Sequence, residues 1–99
     1  MGQNVEIRDK VMMGDVLVID TDRSFTGQDG HVMTPGIVGE GVPAVLGGRL
    51  FDLGIGIDHV FVLQNIVTLR RPGGWDEDTA GQAADVTHGF LRFYPDEEE

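Results

Sequence analysis

Cysteine is absent from this 99-residue chain, and other reactive residue types are scarce. The absence of cysteine excludes a disulfide-stapled miniprotein, a thiolate metal site, a cysteine nucleophile and an iron–sulfur centre. Lysine occurs only as Lys10, and serine occurs only as Ser24, which lies in no G-x-S-x-G motif. The composition therefore does not favour an enzyme whose nucleophile is cysteine, serine or lysine.

Long apolar runs are also missing. The longest stretch without a charged residue, counting histidine as neutral, covers residues 59–69. It is far shorter than the roughly 18 residues that a membrane-spanning helix requires. Residues 1–6 show no basic start followed by an apolar segment, so we expect no secretory signal peptide. We expect a protein that has no membrane partner and is located in a virion or in the cytoplasm.

Basic residues are few. Seventeen acidic residues stand against seven basic ones, which gives a net charge of −10. Such a surface repels nucleic acid phosphates and anionic lipids, so we expect no nucleic acid partner. An acidic surface poor in lysine is typical of proteins dissolved at high salt, where ions screen the self-repulsion. Biased codon usage together with an acidic tail at residues 96–99 is the alternative explanation.

Alternating hydrophobicity, with a period of two, dominates the rest of the chain. Residues 13–20 predict a central strand, because both of its faces are apolar, with residues 3–8 as a weaker partner. Residues 59–70 form the strongest β segment, and Gln64-Asn65 in its middle predicts a two-residue hairpin turn. Residues 86–94 predict a final strand.

Glycine is frequent between residues 36 and 56. Each glycine costs a helix about 1 kcal/mol relative to alanine, so this segment predicts short bent strands, bulges and barrel corners. A single helical turn is expected at residues 79–85. The predicted fold is an all-β, single-domain barrel or sandwich covering residues 1–95, with long glycine-rich loops and at most one short helix.

The acidic loop that follows the first strong strand offers carboxylates that could bind a cation. Asp20, Asp22 and Asp29 supply oxygen atoms, but Phe25 and His31 stand where an EF-hand needs Gly and Glu. The three histidines form no pair with metal-ligand spacing. We therefore predict no metal and no cofactor. Asp20, Asp22 and Asp29 are the residues that a looser cation site would use.

Trp75 is the only tryptophan and lies in a polar loop. It either folds back over the mouth of a barrel or anchors a neighbouring protein, since aromatic residues often dominate the energy of interfaces. Arg70 and Arg71 precede it and can pair with a partner's carboxylates or with those of this chain. The predicted interface residues are Trp75, Arg70, Arg71 and Phe25.

These observations favour a non-enzymatic structural or assembly protein. Residues 14–20 consist of a Gly-Asp pair followed by a hydrophobic strand segment. This pattern is similar to the start of a strand in small virion β domains, such as capsid decoration and head–tail proteins, and in many other barrels. We therefore expect a small virion component whose partners are copies of itself or a larger scaffold such as a major capsid protein. The alternatives are an accessory or binding subunit of a larger cellular complex and a small cation-dependent enzyme.

Overall fold

The structure, a computed structural model, describes residues 6–22 and 30–89. In these residues one five-stranded antiparallel sheet, with strand order β1-β2-β5-β4-β3, packs against two helices. The strands are β1 (Ile7–Met13), β2 (Val16–Thr21), β3 (His31–Met33), β4 (His59–Leu63) and β5 (Ile66–Arg70), and the helices are α1 (Val42–Phe51) and α2 (Glu77–His88). The predicted β-rich small domain is confirmed in this coarse form. The described sheet is open, so no barrel or sandwich closure is seen, and the expectation of at most one short helix was wrong.

The first hairpin joins β1 to β2. Gly14, with φ of 60°, lies at the turn, so the predicted strand over residues 13–20 is in fact the end of one strand and most of the next. Residues 7 and 8 of the predicted partner belong to β1, which continues to Met13, and residues 3–5 lie outside the described residues. β2 lies between β1 and β5, as expected for an inner strand.

The second hairpin joins β4 to β5 through the predicted turn. Leu63 pairs with Ile66, so Gln64 and Asn65 are the two turn residues. The Asn65 side chain donates hydrogen bonds to Asp20 Oδ1 at 2.8 Å and to the Thr21 carbonyl at 2.9 Å. This turn is thereby fixed to the end of β2.

The glycine-rich segment contains a helix, which corrects the prediction of bent strands. α1 spans ten residues, and Pro43 lies in its first turn, where a missing N–H group costs no hydrogen bond. Gly47 packs against the side chain of Met33 in β3. The glycine that lowers helix propensity here also allows the helix to lie close to the sheet, and tertiary packing outweighs propensity.

The second helix is longer than predicted. α2 spans twelve residues, so the single turn at residues 79–85 was too short. Val86 and His88 are helical rather than part of a final strand, and residues 90–94 of that predicted strand lie outside the described residues. The helix begins at Glu77 because a capping box precedes it. Asp76 Oδ1 accepts a hydrogen bond from the Thr79 backbone N–H at 2.8 Å, and Thr79 Oγ1 accepts one from the Asp76 N–H at 3.0 Å.

The hydrophobic core lies between the helices and one face of the sheet. Successive strand residues point to opposite faces, so only alternate residues enter the core. The fully buried core members are Leu17, Ile19, Met33, Val60, Val62, Val67 and Leu69 from the sheet, with Leu46 and Leu50 from α1 and Ala83 from α2. The intervening strand residues therefore lie on the opposite face. The expectation that β2 is covered on both faces was wrong for the described residues, because both helices lie on the same side.

No helix within the described residues is long and apolar enough to cross a membrane.

Candidate protein-binding interface

The face of the sheet opposite the helices, called the open face below, is built of three rows of side chains. The strand register defines each row, because directly paired residues of neighbouring strands point to the same face. The central row is Val11, Val18, Thr68, Phe61 and Val32; the basic row is Met13, Val16, Arg70 and His59; the acidic row is Asp9, Asp20, Ile66 and Leu63.

The open face is largely apolar. Val32 is 57% exposed and Met13 is 56% exposed, and Val11 and Leu63 are also exposed. Phe61 is half-buried, and Gly30 lies against its ring. A Cβ atom on residue 30 would lie only 2.5 Å from Cε1 and Cζ of Phe61. A contiguous apolar surface on a small domain commonly marks a protein interface.

The two outer rows carry opposite charges. In the basic row, the Arg70 side chain is 55% exposed, and its Nε lies 3.9 Å from Asp58 Oδ1, too far for a hydrogen bond. An exposed ion pair of this kind contributes little to stability, so the guanidinium can pair with a further carboxylate. In the acidic row, Asp9 is exposed and Asp20 is half-buried beside Asn65. The open face therefore carries one cationic side chain, Arg70, at one end and two carboxylates, Asp9 and Asp20, at the other.

Arg71 and Trp75, two of the predicted interface residues, form contacts within the chain instead of contributing to the open face. The Asp15 carbonyl accepts hydrogen bonds from the Arg71 backbone N–H and from Trp75 Nε1, each at 2.8 Å. The Arg71 side chain donates to the carbonyls of Ile55 and Gly74. The Trp75 ring is partly buried against the core. These contacts fasten the chain between β5 and α2 to the β1–β2 turn, and an additional interface role for Arg71 and Trp75 stays a prediction.

The carboxylates considered for a cation have partners in the chain. Asp20 accepts from Asn65, and Asp22 Oδ1 accepts from the Glu6 backbone N–H at 3.0 Å while the Asp22 N–H donates to the Glu6 carbonyl at 3.1 Å. Asp29 and the predicted interface residue Phe25 lie outside the described residues. Within residues 6–22 and 30–89, no group of three or more His, Asp or Glu side chains is placed to hold a metal ion.

Sequence reasoning missed most of the open face. Of its thirteen residues, only Arg70 was a predicted interface residue, whereas Val11, Val32 and Phe61 were assigned no role. The signal was present in β2, where Val16 and Val18 alternate with Leu17 and Ile19. That pattern predicts a strand covered on both faces, and the second face can be covered by another molecule as well as by the same chain.

No protein-family model matches this chain, and no curated protein and no solved structure is significantly similar to it.

Proposed function

We propose that this chain is a non-enzymatic assembly module that packs the open face of its sheet against an apolar protein surface. The observation that carries the proposal is the central row, in which four of the five strands present an apolar side chain on the face without a described helix. Burial of such side chains against protein removes apolar area from water, which is the main favourable term in most associations.

The open face is small compared with the interfaces of stable complexes. Five strands about 4.8 Å apart, with about 3.3 Å per residue along each, give a footprint of roughly 24 Å by 17 Å, or about 400 Å². Stable complexes bury about 800 Å² on each partner. A contact of half that size becomes durable when many copies are held in one assembly, because effective concentration adds to affinity.

The setting of this assembly is the narrower part of the proposal. A small virion component whose neighbours are other copies or a major capsid protein is consistent with a weak contact repeated many times. An accessory subunit of a larger cellular complex would use the same face. Location of the gene among particle-assembly genes supports the virion setting, whereas location beside genes for enzyme subunits supports the cellular one.

Site-specific photo-crosslinking tests the proposed function. A photoreactive amino acid replaces Val32 on the open face or, as the control, Val45, which is exposed on α1 in the helix layer. After irradiation in the cells that make the protein, mass spectrometry identifies the attached peptides. We expect a defined protein adduct at position 32 that is several-fold more abundant than any adduct at position 45. Equal or absent adducts at the two positions would show that the open face is not an interface.

A further inference from the structure

We propose that the surface covering the open face is the open face of a second copy of this chain. Each strand of one copy then runs in the opposite direction to the equivalent strand of the other copy. This inference rests on the proposed function and names the partner of the same face. Two sheets that pack face to face lie about 10 Å apart, with their strands aligned to within about 30°. A two-fold axis between the sheets, perpendicular to the strands, relates the copies.

The order of the three rows favours this axis. Rotation about it places the central row over the central row of the second copy and the basic row over the acidic row. Arg70 then lies over the end of the partner sheet that carries Asp9 and Asp20. Because the contact is symmetric, the same attraction occurs at both ends.

The other simple arrangement is unfavourable. An axis parallel to the strands would place Arg70 of one copy over Arg70 of the other and would bring the two acidic rows together. Like charges that face each other across an interface are repulsive and select against that arrangement. Charge therefore determines the direction of the second sheet. The apolar central row supplies an attraction that is present in both arrangements.

The edges of the sheet are poorly suited to self-association by strand pairing. β1 carries Arg8, Asp9 and Lys10 in succession, and its register is irregular between Ile7 and Asp9. Charged residues and bulges on an edge strand are the usual protection against pairing with another chain. The opposite edge, β3, has only three residues. These features leave the face, rather than an edge, as the contact between copies.

A charge-exchange experiment on the full chain tests the pairing. One variant is Arg70→Glu; the other combines Asp9→Lys with Asp20→Asn, because an asparagine oxygen can still accept the hydrogen bond from Asn65. Light scattering and sedimentation equilibrium measure the dimer dissociation constant of each variant and of their equimolar mixture. Circular dichroism checks that each variant is folded.

We expect the wild-type protein to form a dimer and each variant alone to dimerise at least tenfold more weakly. The mixture should recover most of the wild-type affinity, because each end of the mixed dimer then avoids the like-charge contact that each variant makes alone. Asp52→Lys, an exposed site at the end of α1 on the helix side, is the control. Alone it should dimerise like the wild type, and its mixed dimer with Arg70→Glu should be weaker than that formed by the two charge variants, because one end keeps the like-charge contact. Rescue by mixing separates the interface effect from any loss of stability caused by the introduced carboxylate beside Asp58.

Four results would overturn the inference. A mixture that dimerises more tightly than the wild type, with each variant alone no weaker than the wild type, would indicate the axis parallel to the strands, because the glutamate introduced by Arg70→Glu would then lie over Arg70 of the other variant. A mixture that recovers no affinity would show that the two rows do not meet. A wild-type protein that stays monomeric, while crosslinking at position 32 captures a different protein, would reject the second copy but leave the proposed function intact. If neither a dimer nor an adduct is found, both the pairing of two copies and the proposed function are rejected.

Discussion

Gly47 of α1 and Met33 of β3 are in direct contact, so closely that a Cβ atom on Gly47 would lie 2.3 Å from Met33 Sδ. Met33 is fully buried, so its side chain has little room to move away. The neighbouring Gly48 has open space where its Cβ would lie. Two consecutive glycines in one helix thus differ in role: one sets the distance between helix and sheet, and the other has no packing function.

Alanine substitution should separate these two glycines. Gly47→Ala forces an extra methyl group into a packed core, which should lower the free energy of unfolding by about 1–3 kcal/mol. Gly48→Ala adds helix propensity in free space and should raise it by up to about 1 kcal/mol. Urea denaturation followed by circular dichroism measures both. Equal effects of the same sign would contradict the close packing of α1 on β3.

Trp75→Phe should weaken the fold without changing the mass of the assembly. The ring of phenylalanine retains part of the packing on the core, but the hydrogen bond from Nε1 to the Asp15 carbonyl is lost. The Arg71 N–H continues to donate to that carbonyl, so we expect a loss of about 0.5–1.5 kcal/mol in the free energy of unfolding. Thermal unfolding and light scattering measure the two properties. A reduced assembly mass with unchanged stability would instead mark Trp75 as an interface anchor.

Low pH should destabilise the first turn of α2. The hydrogen bonds that Thr79 donates hold the pKa of the Asp76 carboxyl below its ordinary value of 3.8. Because the pKa is lowered by folding, the contribution of the charged form is present above the ordinary value and is lost as pH falls through the folded-state pKa.

Asp76→Asn isolates that contribution, because asparagine keeps an acceptor oxygen but has no charge. The variant should have a lower melting temperature than the wild type at pH 7, and the difference should narrow below about pH 4, where the unfolded carboxyl is protonated. A series of melting curves from pH 2 to pH 7 measures this. A constant difference across the series would show that the Asp76 charge does not stabilise the helix.

Monovalent salt should stabilise the folded domain. A net charge of −10 on 99 residues produces self-repulsion that salt screens over about 10 Å at 0.1 M and about 3 Å at 1 M. We expect the melting temperature to rise steadily from low salt to molar potassium chloride, as an adaptation to high salt requires. A flat profile would favour biased codon usage as the origin of the acidic composition.

The parts of the fold that could be predicted from the sequence are those with local signals. The turn at Gln64-Asn65 was found because hydrophobic alternation flanks it on both sides. α1 was missed because the packing of Gly47 on Met33 is a contact between residues that are distant in sequence. Helix propensity describes local residues only and does not include the stabilisation from such a contact. The capping box of Asp76 and Thr79 was a local signal, and it was overlooked in favour of the acidic character of the loop.

The open face required information that the sequence lacks. Alternation shows that Val16 and Val18 share a face, but only the strand register brings Val11, Phe61 and Val32 beside them. The choice between an open sheet and a closed barrel likewise depends on how distant strands pair. The candidate interface is thus a property of the assembled sheet rather than of any one segment.

The strand order β1-β2-β5-β4-β3 also has a consequence for the rate of folding. The β1–β2 and β4–β5 hairpins connect neighbouring segments and can form within about 1–10 μs. The pairing of β2 with β5, from Val16 opposite Arg70 to Asp20 opposite Ile66, joins the two halves of the chain only after the long intervening segment has lost its freedom. Non-local pairing of this kind slows folding to the millisecond range or beyond. We therefore expect the joining of the two hairpins to be the slowest step of folding, and before it the apolar residues of both hairpins would be open to contact with other chains.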